Sequence, residues 1–430
     1  MFFHQLLMSN RRDFIRTGLL AAGAIGLGNR SVLAAPLIPQ DARADENYWK
    51  LVRAQFPLSH SKIFLNNGTI GPSPYSVLNE VQQEMLEIES SGRYGGYEDT
   101  AIKSLAQFLN TKDSEISLTR NVTEGINVVC WGLNLKEGDE VIMTGHEHVG
   151  HATPWLNRSK LHGISIKILT LGKTAEETIE NLKKVLTKKT KVISVPHIPC
   201  TIGYVLPVKE ICKIAREKGI ISFLDGAHPP GMLQLDLKDI NCDLYAGCCH
   251  KWMLGPKGTG FLYVSENMRN QVQVYYGGGG FDTGWDMLSN PPSLKGYADN
   301  GHRYYYGTQN PALLKGISKA IEFQNQIGRD RIEARVKELA NYLQDHLMNM
   351  AKDIEMLTPT EHISKAAQIS FKIKDKDVQK LQSQCAEKKI IVRYVAENNI
   401  NCLRISTHIY NSFEEIDLFL KEVDTFLTLK

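Results

Sequence analysis

The sequence predicts an α/β protein with a large domain on a mostly parallel sheet and a smaller α+β domain closing the chain. The first observation is an alternation of β-rich apolar runs with helical patterns. Val192-Ile193-Ser194-Val195 is followed by a helical stretch over 208–218 and then by Ile220-Ile221-Ser222-Phe223-Leu224, the order that βαβ units require. The second is a change of pattern near Pro311, where long amphipathic helices over 312–327 and 330–351 give way to short strands over 368–373 and 402–405. Local signals support individual elements. Thr174-x-x-Glu177 is a capping box opening a helix that runs to about Leu186, and the last helix, over 412–427, starts at Ser412 with Glu414 and Glu415 in its first turn. The expected division is residues 36–310 for the large domain with its N-terminal segment and 311–430 for the small one.

The chain has 430 residues, 42% hydrophobic and 23% charged, which suits a globular protein of two domains. Fifty basic residues against 47 acidic ones, a formal net charge of +3, supply no basic face that would call for nucleic acid. The eight cysteines are scattered without a C-x-x-C pair, so neither a zinc pattern nor a disulfide framework is expected. Residues 1–35 read as a targeting segment: Asn10-Arg11-Arg12-Asp13-Phe14-Ile15-Arg16, an apolar run from Leu19 to Gly28, and Leu33-Ala34-Ala35. This segment resembles a twin-arginine export signal, which implies contact with the twin-arginine machinery and a periplasmic or otherwise exported protein. Its apolar run falls well short of the roughly 20 residues that span a bilayer, so no stable membrane span is expected.

Chemistry concentrates in Gly247-Cys248-Cys249-His250-Lys251-Trp252-Met253-Leu254-Gly255-Pro256. Lys251 follows a predicted strand and precedes a Gly-Pro turn, so its amine enters the crevice where α/β sheets bind ligands. A lysine that bonds a carbonyl needs such a partly desolvated position. Asp225, where the strand ending Phe223-Leu224 meets Gly226, can supply a buried carboxylate. A pyridoxal cofactor asks for that pair: an amine for its carbonyl, and a carboxylate that keeps its ring nitrogen protonated.

Phe223-Leu224-Asp225-Gly226-Ala227-His228, followed by Cys249-His250-Lys251, resembles the class V aminotransferase family. That group of fold-type-I pyridoxal-phosphate transferases includes cysteine desulfurases and isopenicillin-N-epimerase-like proteins. The resemblance runs from about Ile63 to the end of the chain and implies a seven-stranded-type sheet in the large domain. It implies pyridoxal 5'-phosphate as cofactor, Lys251 as its covalent anchor, Asp225 as the pyridinium partner and His228 near the phenolic oxygen. The segment 121–127, with Thr123 and Glu124, looks like the family's phosphate loop, a helix N-terminus suited to an anion. His250 and Cys248 flank the lysine where the family places further phosphate contacts, although a thiol is a weak donor. His148 matches the histidine that stacks on the cofactor ring. His146, His148 and His151 lack a fourth ligand at metal spacing, so no metal is expected. Gly307 and Thr308 match a loop that reaches the neighbouring subunit's phosphate, implying a homodimer with a shared site. Arg404 matches the arginine that grips the substrate carboxylate, and Asn67 in Asn66-Asn67-Gly68 matches the segment over the substrate.

The implied substrate is an α-amino acid or an amino-acid-containing metabolite, and the implied reaction is transamination, epimerisation or elimination. Cysteine desulfurase or selenocysteine lyase chemistry is the alternative. Desulfurases of this family carry a mobile cysteine after an arginine in a segment like 391–396, and Ile391-Val392-Arg393-Tyr394-Val395-Ala396 has none. A protein that binds the cofactor without turnover is the reading from another class.

Overall fold

A computed structural model describes residue 38 and residues 43–93 and 95–428. The expected export signal lies outside the described residues. After a two-residue strand, β1 (Ile63–Phe64), the large domain contains β2 (Ile116–Thr119), β3 (Glu140–Thr144), β4 (Ser165–Leu169), β5 (Thr190–Pro196), β6 (Ile221–Gly226), β7 (Leu244–Cys248) and β8 (Gly260–Val264). They form one seven-stranded sheet in the order β2-β8-β7-β6-β5-β3-β4. Only β8 runs antiparallel to its neighbours; the others are parallel. Helices cover both faces, so β5, β6 and β7 are buried almost throughout and read as apolar runs rather than alternating patterns.

Thr174 caps the helix Ala175–Val185 by accepting from the Glu177 N–H at 3.2 Å. Glu177 itself reaches back to the Lys173 N–H at 2.7 Å rather than to the cap residue, so the expected box closes one residue early.

A hairpin of β9 (Trp285–Asp286) and β10 (Ser293–Leu294) follows the Gly277–Gly280 loop. The small domain holds β11 (Ile354–Met356), β12 (Gln368–Ile373), β13 (Ile390–Ile391), β14 (Arg393–Val395) and β15 (Cys402–Ser406). Four of them form an antiparallel sheet in the order β11-β12-β15-β14. Leu339, Leu343, Phe371, Ile405 and Phe419 make the core between this sheet and its helices. The N-terminal segment belongs to this domain by contact, since β1 pairs with β13. In the opposite sense, the helix Pro311–Ile327 buries Leu314, Ile317 and Ile321 in the large-domain core. In packing, the domains therefore divide nearer Gly328 than residue 310. No helix among the described residues is long and apolar enough to cross a membrane.

Candidate active site

The site lies at the carboxyl ends of the parallel strands, where side chains from several loops converge. β6 and β7 are neighbours, with Asp225 opposite Ala246 and Gly226 opposite Gly247, so the Asp225 turn and the Lys251 loop leave the sheet side by side. Gly71 closes that loop from the other side: its N–H donates to the His250 carbonyl at 3.0 Å. A Cβ on Gly71 would lie 2.1 Å from the Lys251 carbonyl oxygen, which leaves glycine as the residue that fits.

Asp225 is 5% exposed and accepts from the Ala227 N–H at 2.9 Å. Behind it stands a pair that sequence reasoning missed. His151 Nδ1 lies 2.6 Å from Glu147 Oε2 and 3.6 Å from Asp225 Oδ2. The Glu147 contact is short but poorly directed as a hydrogen bond, so the attraction is chiefly electrostatic. Burial works against a charge on His151, yet the Glu147 and Asp225 carboxylates outweigh it and raise His151 above the ordinary histidine range. Its Nε2 meets Ser194 Oγ at 2.7 Å, and Glu147 Oε1 is held by the backbone and hydroxyl of Thr144 at 2.8 Å each. The i, i+4 spacing of Glu147 and His151 was visible in the sequence; their position behind Asp225 was not.

His148 caps the helix Val149–His162, its Nδ1 accepting from the Gly150 N–H at 3.0 Å. Burial, then the charge of Lys251, lower its pKa, so the ring is neutral at physiological pH. A Cβ on Gly150 would lie 2.3 Å from Thr123 Oγ1 and 3.2 Å from His148 Nδ1, which sets the Thr123 hydroxyl beside His148. His146 turns elsewhere, to Thr201 Oγ1 at 2.9 Å. The three histidines of this run thus have three different partners.

His228 is fully enclosed and its Nε2 has no hydrogen-bond partner among the described residues. The amide nitrogen of Asn67 is orphaned in the same way, while its oxygen accepts from Tyr410 at 2.9 Å. Arg404, on β15, is 0% exposed. It donates to the Cys200 carbonyl at 2.8 Å, to Thr69 Oγ1 at 3.0 Å and to Asn66 Oδ1 at 3.1 Å. All three acceptors are neutral. Burial, then the charge of Arg393, lower Arg404 to about 10. The charge of Lys251 acts on His148, His228, His250, Cys200 and Cys248 alike, so the lysine lies among all these groups.

The other residues expected at the cofactor have the following surroundings within the chain. Both carboxylate oxygens of Glu124 accept from Arg120 at 3.1 Å, and its N–H donates to Asn121 Oδ1 at 2.9 Å. Glu124, expected at the cofactor, thus has its carboxylate and its N–H engaged within the chain. His250 donates from Nδ1 to the Thr259 carbonyl at 3.1 Å and is held near 4, first by burial and then by Lys251. Its Nε2 can donate to a phosphate only once protonated. The Cys248 thiol is directed to the Ala227 carbonyl at 3.4 Å. Gly307 and Thr308 are exposed on the single chain, with Gly307 in the left-handed region at φ 66° and open space where a Cβ would stand.

The comparisons agree with this architecture. A family model for aminotransferase class-V matches residues 89–419, and the chain belongs to that family, whose members depend on pyridoxal phosphate. A probable cysteine desulfurase of Halalkalibacterium halodurans is 29% identical over 392 residues, 84% of this chain and 92% of that protein. The isopenicillin N epimerase of Streptomyces clavuligerus is 27% identical over 398 residues, 87% of this chain and 98% of that protein. The apo structure of a cysteine desulfurase from Thermococcus onnurineus NA1 shares the fold with a TM-score of 0.79 at 24% identity, covering 91% of this chain and 99% of that one.

The residues present fit pyridoxal phosphate chemically. The enclosed Asp225 carboxylate, His228 and Asn67 with side-chain nitrogens that lack partners among the described residues, and the Lys251 amine lie close together. The Thr123 hydroxyl, in the first turn of the helix Val122–Gly132, stands beside His148 in this cluster.

Proposed function

We propose that this enzyme carries pyridoxal phosphate on Lys251 and works at the α-carbon of an amino acid or amino-acid-containing metabolite, by transamination, epimerisation or elimination. The bound cofactor supplies an electron sink for the electron pair left when a bond to the α-carbon breaks. Asp225 holds the proton on the ring nitrogen, with the His151–Glu147 pair behind it. His148 would stack on the cofactor ring. His228 donates to the phenolic oxygen, and Thr123 with the adjoining helix N-terminus takes the phosphate. Lys251, once its amine is free, is the base that removes or returns the α-proton. Arg404 takes the α-carboxylate.

The observation that carries the reading is Arg404: a guanidinium with no exposure, whose partners among the described residues are the neutral oxygens of Cys200, Asn66 and Thr69, suits an anion in contact with it. Such a group suits a carboxylate substrate rather than the cofactor alone. The relatives named as desulfurases raise the alternative, and the thiols argue against it. All eight cysteines are free and buried, and burial pushes Cys385 and Cys402 up to about 12, whereas a nucleophilic cysteine needs a low pKa and access. The loop 396–401 carries no thiol and is tied to the large domain by Asn398, which donates to the Gly145 carbonyl at 2.6 Å.

The test is exchange of the α-proton into solvent, followed by NMR for a panel of L- and D-amino acids, together with a search for protein-bound sulfur after L-cysteine. Exchange that depends on Lys251 and leaves no persulfide is expected. A cysteine persulfide on the enzyme would overturn the reading, and so would the absence of exchange with every amino acid.

Two further elements belong to the proposal. The active unit is a homodimer in which Gly307 and Thr308 complete the partner's phosphate site; the exposed Val149, Leu156 and Leu161 on the helix after His148 support a covered face there. Sedimentation at micromolar concentration should give twice the chain mass. The enzyme leaves the cytoplasm folded, by the twin-arginine route, after it has taken up its cofactor.

A further inference from the structure

His228 is held by two donors on one nitrogen. Trp252 Nε1 donates to His228 Nδ1 at 3.1 Å, and the Gln368 amide nitrogen stands 2.6 Å from the same atom. An indole N–H can only donate, so Nδ1 carries a lone pair and no proton. Gln368 must then present its NH2 group to the ring, since its amide oxygen could not donate to that lone pair. The ring proton lies on Nε2, the atom without a partner among the described residues.

The charged form is disfavoured as well. Burial comes first, and then the neighbouring Lys251, Arg404, His148 and Arg393 hold His228 well below the ordinary histidine range. Trp252 is fixed in place. Its ring stacks on His408 at 5.3 Å and 25°, and its carbonyl accepts from Gln324 at 2.7 Å and His408 at 3.1 Å. Gln368 comes from the other domain, in β12 opposite Ser406 of β15. A Cβ on Gly68 would lie 2.8 Å from its amide nitrogen.

We infer that Gln368 and Trp252 are positioning residues for the cofactor's phenolic oxygen: together they hold His228 as a neutral Nε2–H donor, and Gln368 makes that donor depend on the docked small domain. The inference rests on the proposed role of His228 at that oxygen. Two donors on Nδ1 withdraw electron density from the ring and strengthen its remaining N–H. A stronger donor favours the anionic form of the oxygen it faces and lowers that oxygen's pKa.

The experiment titrates the visible absorption of the holoenzyme against pH in the wild type, His228→Leu, Gln368→Leu and Trp252→Phe. It also records the histidine nitrogens of 15N-labelled wild-type holoenzyme by NMR. His228→Leu should raise the apparent pKa by on the order of one unit, the loss of a hydrogen bond to a charged oxygen. Gln368→Leu and Trp252→Phe should each move it part of the way in the same direction, and the NMR should show an unprotonated Nδ1 on His228. If His228→Leu shifts the titration while both other variants, fully loaded with cofactor, match the wild type, the inference falls and the role of His228 stands. No shift in His228→Leu would remove both. A protonated Nδ1 in the wild type overturns the inference whether or not any variant folds.

Discussion

Removing the Arg404 guanidinium should separate substrate binding from cofactor binding. The side chain has no exposure and three neutral acceptors between 2.8 and 3.1 Å, and Glu397 acts on it only at a distance, so a substrate carboxylate would be its counter-charge in direct contact. A charge-assisted bidentate contact contributes about 1.5–3 kcal/mol, and Arg404→Ala should weaken a carboxylate ligand roughly ten- to a hundredfold. Arg404→Lys should recover little, because an ammonium is a point charge without the planar fork. Cofactor content should stay at the wild-type level in both variants. The assay is a spectral titration of holoenzyme with the tightest amino-acid ligand and, separately, with its carboxamide. The amide should bind the wild type poorly and lose little more in the variants. Equal weakening of acid and amide would refute the reasoning and leave Arg404 as a support for the small domain.

Lys251→Ala should abolish turnover and covalent attachment while leaving the fold unchanged; borohydride reduction and peptide mapping should find the pyridoxyl group on Lys251 in the wild type, and an adduct on Lys257 would refute the assignment. His151 is raised above its ordinary 6.5 because Glu147 and Asp225 outweigh its burial. The stability it contributes is therefore complete below pH 6.5 and lost as pH rises through the higher folded value. Glu147→Gln should flatten that dependence and destabilise the protein by about 3 kcal/mol, the effect of breaking a buried pair, measured by denaturant unfolding on both sides of neutrality. Replacing Arg11 and Arg12 by lysine should leave the holoenzyme in the cytoplasm on fractionation; undiminished export would point to another route.

Much of this protein was legible in its sequence, because the signals concerned were local. A strand buried on both faces must be an apolar run, and β5 and β6 are such runs in both sequence and structure. Strand ends at Asp225 and before Lys251 could be read from the turn residues that follow them, and in a parallel sheet those ends mark the ligand crevice. Thr174, Ser412 and Asn310 announced helix starts through side chains that accept from nearby backbone N–H groups.

What the sequence could not determine depends on contacts between segments far apart in the chain. Glu124 sits in the expected phosphate loop, yet Arg120 and the Asn121 cap engage it, and that competition appears only in three dimensions. The helix Pro311–Ile327 follows the change of pattern but packs with the large domain, since its apolar face meets the large-domain core. His151 looked like one of a run of histidines until the sheet brought Asp225 within 3.6 Å of it. Gln368 carried no signal at all. It lies 140 residues from His228 in the chain, and its meaning comes from donating to the same ring nitrogen as Trp252. A residue's propensity is local, whereas the partner that sets a proton or a charge is chosen by packing.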